Sequence, residues 1–277
     1  MLQTIKIFIL LIALNINCFK TNAAAFKDDV VYHFPSPSEV IYYIKESKLP
    51  FKQGFCNLPN NQDKYIEKSK QAVNLGIYMA DFAYYTVFNE TTTGMQYLGA
   101  MQALGYKLRI NFNMGKDILS RYAGKKIPAD SLIYQADQVF GGMMSYCEQN
   151  NLSDVFSLIV LGGYVECLYL TSNYVGQFTE GNPMVQKIAD QKFIFDNFAN
   201  YLNGLEKKMP SSYLEDVNRL KIFYSKLPVV NQKVKATKAN GRIVITGGTK
   251  YMLDAQKFDE LKQLIGEIRS RYVGVEF

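Results

Sequence analysis

The sequence predicts an all-α protein of long antiparallel helices, a bundle or irregular helical pairs, with a small C-terminal β-hairpin and a closing helix. Three observations predict it. Apolar residues recur at three- and four-residue spacing over six long stretches between residues 65 and 227. Asn240-Gly241 separates two runs of β-forming character, the strongest local signal for a hairpin. The composition, 48% hydrophobic and 20% charged with only 8 Pro, builds a packed core rather than a disordered or fibrous chain. At 277 residues the chain is long enough to bury that core within one helical domain, read as residues 26–277.

The elements follow in order. Residues 1–25 have a signal-peptide layout: Lys6, the apolar run Ile7–Ile16, and small residues through Ala25. The apolar run is short of the roughly 20 residues that a spanning helix needs. Cleavage is expected before Phe26, with cleavage after Ala23 as the neighbouring choice. Cys18 offers a lipidated alternative, although it follows Asn17 where a small residue is usual. Pro35 and Pro37 introduce a short helix from Ser38 to Ser47, and a loop runs behind it to Asn61. The long helices are then expected at Tyr65–Asn89, Gly94–Tyr122, Asp130–Gln149, Ser153–Gln177, Pro183–Lys208 and Tyr213–Leu227. Gly124 and Pro128, Ser153 as an N-cap, and Gly181-Asn182-Pro183 punctuate them. Short connections predict antiparallel neighbours. The hairpin is expected at about 233–247, and the closing helix over 254–272 through Phe258, Leu261, Leu264, Ile265 and Ile268. One internal echo, Leu75-Gly76-Ile77-Tyr78 against Leu161-Gly162-Gly163-Tyr164, has the form of a duplicated helix pair.

Composition also bounds the chemistry. The single His is His33, so a Ser-His-Asp triad, a Cys-His dyad or a His-rich zinc site would have to use it. No metal site and no cofactor are expected. Loss of the leader removes Lys6 and Lys20 from a formal net charge of +6, and the remaining excess reads as mild and spread along the chain, without a nucleic-acid footprint. Cys56, Cys147 and Cys167 are expected as small buried hydrophobes, with a Cys147–Cys167 bridge as the alternative. Gly247-Gly248-Thr249-Lys250 lacks the spacing of a phosphate loop and reads as the hairpin's exit.

Two helices carry the candidate site. Asp81 is the only Asp, Glu, Lys or Arg from Gln71 to Asn89, and Glu166 is the only one from Val155 to Thr179. Helices so apolar around their circumference belong in an interior, where an unpaired charge costs several kcal/mol. Each acid must therefore be paired, protonated or bound to a ligand. One solution is structural, with Asp81 tied to Lys107, Arg109 or tyrosine hydroxyls. The other has Asp81 and Glu166 sharing a pocket for acid–base work or for gripping a cationic ligand. Gly162 and Gly163 admit the same choice, either close helix packing or space for a ligand beside Glu166. In the ligand reading Tyr169, on the same face, and Tyr164 complete the site.

Leu75–Tyr84, Leu161–Tyr169 and Gly241–Thr249, followed by Phe258 and Ile268-Arg269, resemble an uncharacterised family of exported, mainly helical bacterial proteins, many of them described as lipoproteins. The resemblance covers most of the chain after the leader, with Tyr164 standing where the family pattern carries Trp. It implies a helical fold, export, and membrane attachment through a lipidated Cys18, and it implies no catalytic residue. The expectation is an exported protein of the periplasm or outer membrane, a non-enzymatic binding or scaffold module for an envelope protein, peptide or small ligand. The rival expectation is an enzyme or small-ligand receptor working through Asp81 and Glu166.

Overall fold

The computed structural model describes residues 50–110, 129–239 and 242–274, together with Ile41 and Ile44. The leader with Cys18, His33, most of the helix expected at 38–47, residues 111–122 and the Asn240-Gly241 turn lie outside them, and the helix expected to reach Tyr122 already ends at Lys107, before Arg109 at φ 59°.

The described chain is mostly helical, with a two-stranded antiparallel sheet and a C-terminal helix. Its helices are α1 (Lys68–Val87), α2 (Thr91–Lys107), α3 (Ala129–Gln149), α4 (Ser153–Val175), α5 (Pro183–Tyr201), α6 (Ser211–Ser225) and α7 (Ala255–Val273), with β1 (Val229–Ala239) and β2 (Arg242–Tyr251) before the last. Local chemistry accounts for the ends. Asn182 caps α5, accepting from Met184 N at 2.9 Å with Pro183 in the first turn. Asp254 caps α7 by accepting from Lys257 N at 2.7 Å. Ser153 is not the N-cap of α4 but its first helical residue. Leu152 occupies the cap without a side-chain bond. The stretch expected to run to Lys208 divides at Gly204, whose φ of 91° no helix interior accepts, leaving a separate 3-10 turn at Glu206–Lys208. The hairpin is longer than expected. Its register shifts between Gln232 and Lys235, opposite Gly247 at φ 89°, and pairing then continues to Val229↔Tyr251.

The largest helix–helix contact joins α1 and α4, which are not neighbours in sequence. Two glycines set it. A Cβ on Gly76 would lie 1.9 Å from Ile159 O, and one on Gly162 would lie 1.9 Å from Val73 O. Each glycine thus meets the carbonyl three residues before the other, a reciprocal contact that explains the sequence echo as two copies of one packing surface. Farther along, Ala80, Ala83, Tyr84 and Val87 pack with Cys167, Leu170 and Tyr174, so the two helices run parallel. Helices joined by a short loop are antiparallel, as α2 is to α1: Tyr97 stacks on Tyr85, while Lys107 returns to Asp63. Helix α7 lies antiparallel along α4. Phe258 meets Phe178, Lys262 Nζ donates to Gly176 O at 2.9 Å, and Arg269 reaches Glu166. Among the described residues one helix, Ser153–Val175, is long and apolar enough to cross a membrane, and 94% of its apolar window is buried within the fold.

Candidate functional site

The close glycine contact decides what comes next along both helices. Asp81 stands five residues beyond Gly76 and Glu166 four beyond Gly162, so the parallel crossing carries both acids to one level of the core, each fully buried. They lie side by side there, each within reach of the other's charge. Two buried carboxyl groups so placed disfavour both being ionised. Burial, then the adjacent Glu166, push the Asp81 carboxyl well above the usual carboxylate range, which favours its protonated form.

Glu166 is the charged member. Arg269 grips it with both prongs, Nε to Oε2 at 2.6 Å and Nη2 to Oε1 at 2.8 Å. The same Nη2 donates to Phe55 O at 2.9 Å, and the guanidinium lies 4.1 Å over the Tyr169 ring. Burial works against the charge of Arg269, but Glu166 more than restores it and moves its pKa upward. A neutral acid, a carboxylate and a guanidinium leave the core without net charge, which is how buried ions are tolerated.

The segment before α1 closes the cluster. Asn57 N donates to Asp81 Oδ2 at 3.0 Å, and the Cys56 thiol lies beside the same carboxyl. Asn57 Nδ2 also reaches Tyr65 OH at 2.9 Å and Asn74 Oδ1 at 3.1 Å, while Asn74 Nδ2 donates to Tyr272 O at 2.9 Å. Burial, followed by the neighbouring acids Asp81 and Glu166, pushes the Cys56 thiol well up, so it is a thiol and not a thiolate nucleophile. Cys56, Cys147 and Cys167 form no disulfide, so no bridge joins Cys147 to Cys167.

The structure therefore brings Asp81, Glu166 and Tyr169 together and leaves Tyr164 elsewhere. Tyr164 OH lies 2.5 Å from Tyr224 OH and 3.2 Å from Gln191 O, facing α5 and α6. Neither expected basic partner reaches Asp81. Lys107 Nζ donates to Gln62 O at 2.9 Å, and the Arg109 carbonyl accepts from Tyr146 OH at 3.0 Å. Gly162 and Gly163 clear no ligand space: the α1 backbone fills the first, and Gly76 abuts the second. The residues that sequence reasoning missed are Arg269, Cys56 and Asn57. A signal existed for Arg269, which follows Ile268 and stands four residues after Ile265, on the border of the apolar stripe of α7.

Among the described residues no group of three or more His, Cys, Asp or Glu is set to hold a metal ion. A cleft of about 430 Å³ opens where the N-terminal ends of α1 and α6 meet the end of α7. Arg271 pairs there with the buried Asp216, and Lys70 Nζ donates to the carbonyls of Arg271 and Gly274. No known protein family, no curated protein and no solved structure matches the chain.

Proposed function

We propose that this is an exported protein of the cell envelope, in the periplasm or at the outer membrane, that acts as a binding or scaffold module and not as an enzyme. One observation carries the non-enzymatic part. The acids that the interior helices offer are both fully buried, one neutral and one held in a bidentate arginine clamp. A general base must reach a substrate proton within hydrogen-bond distance. Here both Glu166 oxygens are taken by Arg269 and Asp81 Oδ2 by Asn57 N, while Asp81 Oδ1, which has no hydrogen-bond partner, is sealed from solvent in the core. The cluster joins four pieces of chain, α1, α4, α7 and residues 55–57, and that is the work of a brace. The export part rests on the leader layout of residues 1–25 and on the family resemblance, with lipidation at Cys18 as the alternative route to the membrane.

Two measurements test the reading. Intact-mass analysis of protein isolated from its own cells is expected to give a chain beginning at Phe26. A start at Met1 ends the export reading, and a lipid-modified Cys18 replaces simple cleavage with anchoring. In a thermal-shift ligand screen, wild type and Glu166→Gln are expected to respond alike from different starting temperatures. A small ligand that stabilises wild type alone would return the site to the receptor or enzyme reading.

A further inference from the structure

The positive charge of this chain is not spread along it, as composition suggested. From Val217 to Leu253 there is no Asp or Glu, while Arg219, Lys221, Lys226, Lys233, Lys235, Lys238, Arg242 and Lys250 all fall there, more cations than the whole chain's net +6. The hairpin holds the last five. It meets the helical body chiefly where Tyr251 of β2 packs edge-on against Phe193 of α5, ring centroids 5.0 Å apart. Residues 228–234 are exposed without a break, so over this length neither face of β1 is covered. Val229, Val230 and Val234 are 49%, 42% and 60% exposed, and Met252 beside them 40%. A strand open on both faces over 228–234 has little to hold it by itself. This one leaves valines in solvent and concentrates on itself the charge that would attract an anionic cover.

We propose that the β1–β2 hairpin is a docking surface for an anionic lipid bilayer. Lysines supply attraction to the headgroups, and the exposed valines and Met252 supply apolar area for the boundary beneath them. Two features favour lipid over nucleic acid. Residues 229–250 contain no aromatic ring on which a base could stack, and apolar side chains are interleaved with the cations. The inference deepens the envelope reading and rests on it for the kind of surface the protein meets. The competing role for the lysines is protection of open strand edges from pairing, which needs no partner.

Co-sedimentation of the full chain with vesicles separates these roles. Wild type is expected to bind phosphatidylglycerol-containing vesicles, to bind phosphatidylcholine vesicles far less, and to lose affinity as salt rises. Each cation brought to such a surface is worth about fivefold, so Lys233→Gln/Lys235→Gln/Lys238→Gln should partition about a hundredfold more weakly. Charge reversal to Glu at the same positions should go further. The leader is identical in all variants, so any binding of its own cancels in the comparison, and unchanged melting temperatures verify the folds. A second variant, Val230→Ser/Val234→Ser, should reduce the binding that survives high salt. Variants that bind like wild type, equal binding to both vesicle types, or tighter binding to a duplex oligonucleotide at the same salt would each overturn the proposal. Its failure is distinct from failure of the envelope reading, because the mature mass reports export whatever the vesicles do.

Discussion

Asp81 is the residue whose chemistry is most unusual and most easily tested. Burial beside Glu166 favours its protonated form and it accepts from Asn57 N, so an amide can imitate it. Asp81→Asn is expected to melt close to wild type at neutral pH, whereas Asp81→Ala, which orphans both partners, should cost on the order of 3 kcal/mol. Equal losses in the two variants would show that the proton is not held there. The pH dependence follows from the same proton. The folded pKa of Asp81 lies well above 3.8, its ordinary value, so its contribution is fully present below about pH 3.8 and disappears as pH rises through the folded pKa. Wild type should therefore lose melting temperature relative to Asp81→Asn as pH is raised, and a flat difference between the two would refute the assignment. Glu166 and Arg269 form the second test. Either single change to Ala should cost about 3–5 kcal/mol by leaving the other ion buried alone. The double change should cost well under the sum, and additivity in urea denaturation would mean that the pair is not coupled.

At the scale of the helix, the glycines divide into two kinds that sequence alone makes equal. Gly162→Ala and Gly76→Ala would drive a methyl into backbone carbonyls 1.9 Å away, and main chain in a helix cannot step aside cheaply. Each should destabilise by about 3 kcal/mol or more, with the α1–α4 axes forced apart. Gly141 and Gly142 of α3 have nothing within 4 Å of an added Cβ and are exposed. There alanine only restricts the unfolded chain and favours the helix, so Gly141→Ala should raise stability by up to about 1 kcal/mol. Thermal melts of the three variants decide the matter, and a stabilising Gly162→Ala would contradict the close crossing. The acids depend on this crossing too: moving the axes apart separates Asp81 from Glu166, so the Gly162 variant should also flatten the pH dependence described above.

For the whole molecule, α7 is the piece that completes the core. Phe258, Leu261, Ile265 and Ile268 are buried in it, and it brings the positive charge that Glu166 holds. A chain ending at Leu253 should lose cooperative unfolding by circular dichroism, because Glu166 would remain buried without a counter-ion; a sharp native-like transition would deny α7 that role. Much of this architecture was legible. The helices follow from apolar spacing, their ends from Asn182, Pro183 and Asp254, and the interior position of α1 and α4 from stretches with one acid each. That those acids must be neutralised was also readable, since the cost of a buried charge does not depend on which partner removes it. The partner itself was not readable. Arg269 is 103 residues from Glu166, and the nearer Lys107 and Arg109 were equally basic on paper. Tyr164 and Tyr169 could not be told apart either, for α4 is apolar nearly all round and gives no periodic bias toward one face. The sequence by itself determined which segments are helical and which are buried, because periodicity and burial are properties of a segment's own residues. Only the tertiary structure decided that α1 and α4 run parallel, that Asp81 keeps a proton, and that Arg269 balances Glu166. Each of those depends on which distant backbone the glycines of one helix allow to come near.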